Sequence, residues 1–218
     1  MLQAVDGAPY NESDPEHLAM AGRFVADLHT ATTARRCTPV LPEAGPQRYL
    51  RHLLAARARL QECLLISHSL DHVARRTLER VVGLLDRVET GWHAVGARCD
   101  DAPLVLVHGD FRPKNVFVRH DGGGLVAFDW ETAGWGPPPA DLTKADVATY
   151  WRTVCDEWGT VSLDTVLAWE WVGRVFQALA AIDWSSANLT LEATADQSES
   201  ISNVQVLGEG LSEVWTRA

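Results

Sequence analysis

Three acids and one amide near the middle of this 218-residue sequence have the types and spacing of phosphate chemistry. His108-Gly109-Asp110 follows the apolar run Leu104-Val105-Leu106-Val107. Asn115 opens the next apolar run, and Asp129 ends a third, with Glu131 two residues later. If the last two runs form a hairpin about residue 122, its register sets Asn115 beside Asp129, and opposed residues of an antiparallel pair lie ~4.5–5.5 Å apart. An amide and a carboxylate oxygen meeting there suit a hard cation such as Mg2+, which takes few protein oxygens and fills its shell with water and phosphate. Asp110, five residues before Asn115, is placed to accept a hydroxyl proton beside a metal-bound phosphate. A plainer reading of a loop aspartate is that it caps backbone N–H groups, and Asp and Asn alone favour that reading.

The elements that must position these residues follow from pattern. Leu104–Val107, Val116–Val118 and Leu125–Phe128 are short apolar runs bounded by turn signals, and they predict buried strands. Arg119-His120-Asp121-Gly122-Gly123-Gly124 predicts the hairpin loop between the last two. The first seven residues read as a short strand ending at Gly7. Ser13-Asp14-Pro15-Glu16 starts a helix with an acidic or hydroxyl cap and a first-turn proline, and Leu18, Ala21, Phe24, Val25 and Leu28 give it one buried face through His29. Residues 30–46, with Pro39, Pro42, Gly45 and Pro46, read as a loop. Helical periodicity returns at about 47–65 and 70–90, and again over 141–157, 162–183 and 191–216. Helices therefore surround a small β unit, with no internal repeat and no interdomain linker.

Composition narrows the function. Hydrophobic residues make up 46% and charged residues 22%, the make-up of a globular chain. The net charge of −10 argues against a nucleic-acid partner, and no apolar run reaches the ~18 residues of a membrane span. The first residues lack the basic head and apolar stretch of a signal peptide, so a cytoplasmic location is expected. Cys37, Cys63, Cys99 and Cys155 form neither a disulfide framework nor a CxxC pattern. His68 and His72 lie one helical turn apart, but no HExxH and no third ligand support zinc. No Gly-x-Ser-x-Gly elbow supports a serine hydrolase. Trp169 and Trp171 read as core, while Trp130 and Trp135 flank the proposed site and could shape its entrance. Residues 141–218 hold 12 acids and 4 bases, so most of the negative charge lies in the last third. That excess is either a set of solvated helix faces or an acidic wall for a cationic substrate.

The spacing of the central residues as a whole is more specific than any one of them. His108-x-Asp110-x-x-x-x-Asn115 followed by Asp129 is the kinase order of catalytic-loop Asp and Asn, then a metal-binding Asp. The His-Gly-Asp form, Glu131 after Asp129, Leu28-His29, and Gly136-Pro137-Pro138-Pro139-Ala140-Asp141-Leu142 in the manner of Gly-x-Pro-x-x-Asp-Leu resemble the aminoglycoside phosphotransferase and choline kinase-like family. The resemblance covers essentially the whole chain, Met1–Gly7 resembling the hinge strand and its glycine. It implies an α+β fold: a mostly helical C-terminal lobe of a protein-kinase-like fold, with a small central β-hairpin unit carrying the catalytic loop. It implies ATP as co-substrate and Mg2+ held by Asn115 and Asp129, with Glu131 as a further contact. Asp110 would be the catalytic base or orient the hydroxyl, Arg112 would neutralise the transferring phosphoryl group, and His108 and Asp141 would be structural supports. The family often has His at Arg112, Gly at Lys114 and Asp at Pro137. Lys114 is assigned no role.

A kinase of this type also needs a β lobe whose Gly-rich strands and lysine hold the nucleotide phosphates. Lys114 and Lys144 are the only lysines, neither precedes the catalytic loop, and no Walker A sequence occurs. The expectation is therefore a lobe beginning at the hinge, with residues 1–7 as hinge-strand remnant, 8–218 as the phosphotransferase lobe, and the N-terminal ATP-binding lobe absent. Truncation, a separate partner chain carrying that lobe, and a catalytically inactive binding module all fit. Family members bind the phosphoryl acceptor largely through the C-terminal helices, so the acidic last third suits an aminoglycoside or another amine-bearing alcohol. Asp156, Glu157, Asp183 and Glu192 are the candidate acids facing it.

Overall fold

The computed structural model describes residues 6–33, 41–67, 70–159, 161–187, 189 and 195–217. The chain divides into two compact units, Met1–Gly45 with Arg98–Gly173, and Pro46–Ala97 with Arg174–Ala218. The architecture is the expected α+β one, mostly helical with two small antiparallel sheets.

The first unit begins with β1 (Gly7–Pro9), which starts at Gly7 where the sequence suggested an ending. Next comes α1 (Pro15–Thr33), opened by Asp14, whose Oδ1 accepts from the Glu16 N–H at 2.9 Å. It runs four residues beyond the expected end, its last hydroxyls bonding back to carbonyls one turn earlier, as Thr33 Oγ1 does to His29 at 2.8 Å. Then come β2 (Val105–Val107), β3 (Val116–Arg119), β4 (Leu125–Ala127) and β5 (Gly134–Gly136). One sheet has the order β1-β3-β4; in the other, β2 pairs with β5. Strand β5 and its pairing carry no signal in the sequence, because Gly134-Trp135-Gly136 lacks the apolar alternation of a strand.

The hairpin register differs from expectation by one residue. Val116 pairs with Ala127, and the Phe128 N–H donates to Asn115 O at 3.0 Å, so Phe128 and not Asp129 lies across from Asn115. The cause is the loop. Gly122 and Gly124 both take positive φ, and the Arg119 N–H closes on Gly124 O at 3.0 Å, a closure the run of glycines permits at several lengths.

Helix α1 packs on α5 (Val147–Trp158), where Gly22 is required: a Cβ there would stand 2.6 Å from Asp146 O. Ala21, Val25, Ala26, Phe111, Leu142, Tyr150, Val154 and Trp169 are among the residues forming this unit's core. Trp169 is core as expected, and its indole N–H donates to Arg98 O at 3.0 Å.

The second unit consists of α2 (Pro46–Ile66), α3 (His72–Thr90), the short α4 (Trp92–Ala97), the second half of α6 (Leu163–Ser186) and α7 (Ala195–Thr216). Asp71 caps α3, accepting from Val73 and Ala74 N–H at 2.8 Å. The core of this unit includes Leu53, Leu60, Leu78, Leu85, Phe176, Leu179 and Leu211, all fully buried. Cys63 and Cys99 are buried and Cys155 is half-buried, none of the three in a disulfide; Cys37 lies outside the described residues. No helix among the described residues is long and apolar enough to cross a membrane.

Candidate active site

The candidate site lies wholly in the first unit, on the segments leaving β2 and β4. Strand β2 delivers His108-Gly109-Asp110. Gly109 has φ +81°, and a Cβ there would meet Thr132 O at 2.6 Å, so backbone conformation and close approach both demand glycine. Thr132 donates to His108 O at 2.9 Å from the opposite segment. His108 is fully buried: its Nδ1 accepts from the Asp110 N–H at 3.3 Å and its Nε2 lies 2.9 Å from Phe128 O. A carbonyl only accepts, so the ring is the Nε2–H tautomer with both nitrogens committed to backbone, tying the Asp110 loop to the Asp129 segment.

Asp141 holds the same loop from the other side. It is fully buried and accepts from the N–H of His108 at 2.6 Å and of Gly109 at 2.9 Å. His29 Nε2 lies 3.5 Å from its Oδ2, and His29 Nδ1 is 2.9 Å from the Tyr150 hydroxyl. The chain of partners runs from α5 through α1 to the loop, every member without exposure. Burial, with the Asp141 charge beside it, pushes the Tyr150 phenol well above its ordinary range, so Tyr150 stays a neutral phenol. The sequence marked His29 only as part of a Leu-His pair and did not mark Tyr150, whose bond to His29 is made across 121 positions of chain.

Asp110 is 4% exposed, yet its carboxylate is densely partnered. Arg112 Nε stands 2.6 Å from Oδ1, a close ion pair that lacks the alignment of a hydrogen bond. Lys114 Nζ stands 2.9 Å from Oδ2, and the Asn115 amide donates to Oδ2 at 2.9 Å and to the Asp110 carbonyl at 3.0 Å. The Lys114 contact is the feature the sequence reading passed over; its i,i+4 spacing from Asp110 was the available signal.

The donor set fits Mg2+ by its chemistry. The Asn115 N–H2 is turned to Asp110, which leaves the amide oxygen as the atom for a cation. Asp129 follows β4 with φ 66° and ψ 59°, the one described non-glycine residue at positive φ, and it is exposed. Such a backbone conformation in a non-glycine residue clusters at functional sites. Trp130 fixes that turn by donating to Ala127 O at 3.0 Å and lying against His108 with ring centroids 4.6 Å apart. Glu131 is exposed in the same turn. Among the described residues no three His, Cys, Asp or Glu side chains converge into a metal cage. Oxygen donors from one amide and one or two exposed carboxylates match an ion that draws the rest of its shell from phosphate and water.

Residues 1–184 match the model of the Phosphotransferase enzyme family. The chain belongs to that family. Among solved structures, the phosphotransferase-family chain is similar to an aminoglycoside phosphotransferase from Alicyclobacillus acidocaldarius, with TM-score 0.59 and 16% identity over 99% of this chain and 70% of that one. It is similar also to a choline kinase from Cryptosporidium parvum, with TM-score 0.65 and 11% identity over 99% and 71%. A third likeness is to an APH(2″) protein in complex with GDP and kanamycin, with TM-score 0.54 and 18% identity over 96% and 69%. At these identities the likeness is one of fold. Over 63 residues the chain is 38% identical to acyl-CoA dehydrogenase family member 11 of Gallus gallus, a stretch that is 28% of this chain and 8% of that protein.

The remaining expected residues stand on other elements. Trp135 sits in β5, paired with Leu106 of β2, the strand that leads into the Asp110 loop. In the second unit, Asp183 is 8% exposed and accepts from Arg59 and from His52, the latter at 2.8 Å. Its charge is compensated where it lies. Asp156 and Glu157 are exposed on α5, whereas His68 and Glu192 lie outside the described residues.

Proposed function

We propose that this family member transfers the γ-phosphoryl group of ATP to a hydroxyl of a small molecule, with Asp110 orienting the hydroxyl and receiving its proton. The observation that carries this reading is the buried Asp110 carboxylate, fixed by Asn115 and flanked by two cations. Phosphoryl transfer asks little covalent chemistry of a protein; it asks for positioning and for positive charge where charge spreads over the transferring oxygens. Arg112 supplies such a charge beside Asp110. Asn115 and Asp129, with Glu131 as an outer contact, would hold Mg2+, which when bound neutralises the donor phosphates. His108 and Asp141 keep the Asp110 loop in place through backbone hydrogen bonds and take no part in proton movement.

The lysine that grips nucleotide phosphates in a kinase is not among these 218 residues ahead of Asp110. We therefore infer that they transfer phosphate slowly by themselves, and that a β lobe bearing such a lysine, in the same or a partner chain, raises the rate. A second reading is a catalytically inactive lobe that binds a ligand or a protein. The sequence-level case for an amine-bearing acceptor rests on the charge of the last third; the compensated Asp183 weakens it.

The two readings are separated by incubating the chain with [γ-32P]ATP, Mg2+ and a panel of small alcohols. Acid-stable, Mg2+-dependent phosphate ester is the expected product, formed far below the ~1–100 s−1 of complete kinases. Absence of any ester after prolonged incubation would favour the binding module. Turnover within that range would contradict the inferred need for a second lobe.

A further inference from the structure

We infer that Lys114 selects the acceptor, and that the acceptor carries an anionic group beside its reacting hydroxyl, as a short hydroxy acid does. This inference rests on the proposed role of Asp110. Any hydroxyl that reaches the Asp110 carboxylate comes within a hydrogen bond of the group to which Lys114 Nζ is bound at 2.9 Å. With Arg112 at 2.6 Å from the other oxygen, the local charge of the three side chains is positive, not negative. Arg112 is about one-quarter exposed, whereas Lys114 is 62% exposed on a flexible stem beside the loop. Of the two cations, Lys114 is the one able to reach a second group on the incoming molecule.

An ammonium is a strongly hydrated point charge that attracts a carboxylate and repels another ammonium. An amine-bearing alcohol at this position would place like charges together. A hydroxy acid gives Lys114 a counter-ion. Hydrogen bonds of about 2.7–2.9 Å on either side of the Lys114–Asp110 contact allow an anionic oxygen three or four bonds from the hydroxyl. The acidic excess of the last third does not oppose this: Asp183, the buried acid among its candidates, is paired with Arg59 and hydrogen-bonded to His52.

The chain's two lysines make the test direct. Protein labelled with [ε-13C]lysine gives one signal from Lys114 and one from Lys144, assigned through Lys144→Arg. Lys144, paired with Glu12 at 2.7 Å, serves as the internal control. The matched probes are 3-hydroxybutyrate and 4-aminobutan-2-ol. Expected is a saturable shift of the Lys114 signal with 3-hydroxybutyrate, an unmoved Lys144 signal, and an affinity at least 10-fold above that for the amine. Ligand-observed titration of Lys114→Gln should show the preference lost, and of Lys114→Glu should show it reversed. Equal affinities, preference for the amine, an unmoved Lys114 signal, or a preference that survives Lys114→Glu would overturn the assignment. These are equilibrium readouts, so a chain that binds as expected but forms no ester overturns the phosphoryl-transfer reading alone.

Discussion

Asp141 shows how much one buried carboxylate can do without touching a substrate. It satisfies two backbone N–H groups of the Asp110 loop and ends the His29–Tyr150 chain. Asp141→Ala leaves those N–H groups buried and unpaired, at about 1–3 kcal/mol each. Denaturant unfolding should show a loss of about 2–5 kcal/mol, larger than a surface Asp→Ala change would give. Alkaline pH tests the same neighbourhood. Burial pushes the Cys99 thiol up to about 12, and raises the Tyr10 and Tyr150 phenols above their ordinary value of 10.0. Each group stays protonated in the folded chain after the unfolded chain has released its proton. Stability is therefore level with respect to these groups below about pH 9 and falls as pH rises through 10 and beyond, by up to ~1.4 kcal/mol per pH unit for each group. Tyr150→Phe should flatten part of that slope while lowering neutral-pH stability by about 1 kcal/mol through the lost bond to His29. Urea titrations at pH 7, 9 and 10.5 read both effects; a slope unchanged by Tyr150→Phe would contradict the assignment.

The elements divide by how local their determinants are. Helix α1 was legible because Asp14, Pro15 and the apolar spacing from Leu18 onward lie within one stretch of chain, and α3 because periodicity continues from Val73 to Val88. Strands β2, β3 and β4 were legible from three apolar runs. Register was not, since Gly122, Gly123 and Gly124 allow the hairpin to close at more than one length. Strand β5 was not legible either, because Gly134-Trp135-Gly136 is a strand only through its pairing with β2. For the candidate site, the spacing of Asp110, Asn115 and Asp129 gave its members, but Tyr150 and the Lys114–Asp110 contact depend on packing that spacing alone does not encode. Gly109 is where an element and the site coincide. Gly109→Ala puts a Cβ 2.6 Å from Thr132 O at φ +81°, so the loop must shift. The expected result is a loss of at least ~2 kcal/mol, with faster amide exchange confined to the residues around 108–115 and 129–132. By contrast, Asp71→Ala removes only the cap of α3 and should cost about 1 kcal/mol, read as a small drop in Tm.

At the scale of the molecule, family membership and geometry meet in the first unit, which carries every residue of the proposed chemistry. Helix α6 continues from that unit into the second, where α2, α3 and α7 build a separate core. The net charge of −10 is a property of the whole chain and says little about the site, where Asp110 stands between Arg112 and Lys114. On the proposed reading, a hydroxyl acceptor would meet that local field rather than the total. The central claim is that Asp110 is the group on which phosphoryl transfer depends. Its most direct test is the amount of Mg2+-dependent phosphate ester formed from [γ-32P]ATP by the wild-type chain and by Asp110→Ala, with folding of both checked by circular dichroism. The account predicts ester from the wild type and at least a 100-fold loss in the folded variant. Equal ester from both, or none from the wild type, would contradict it.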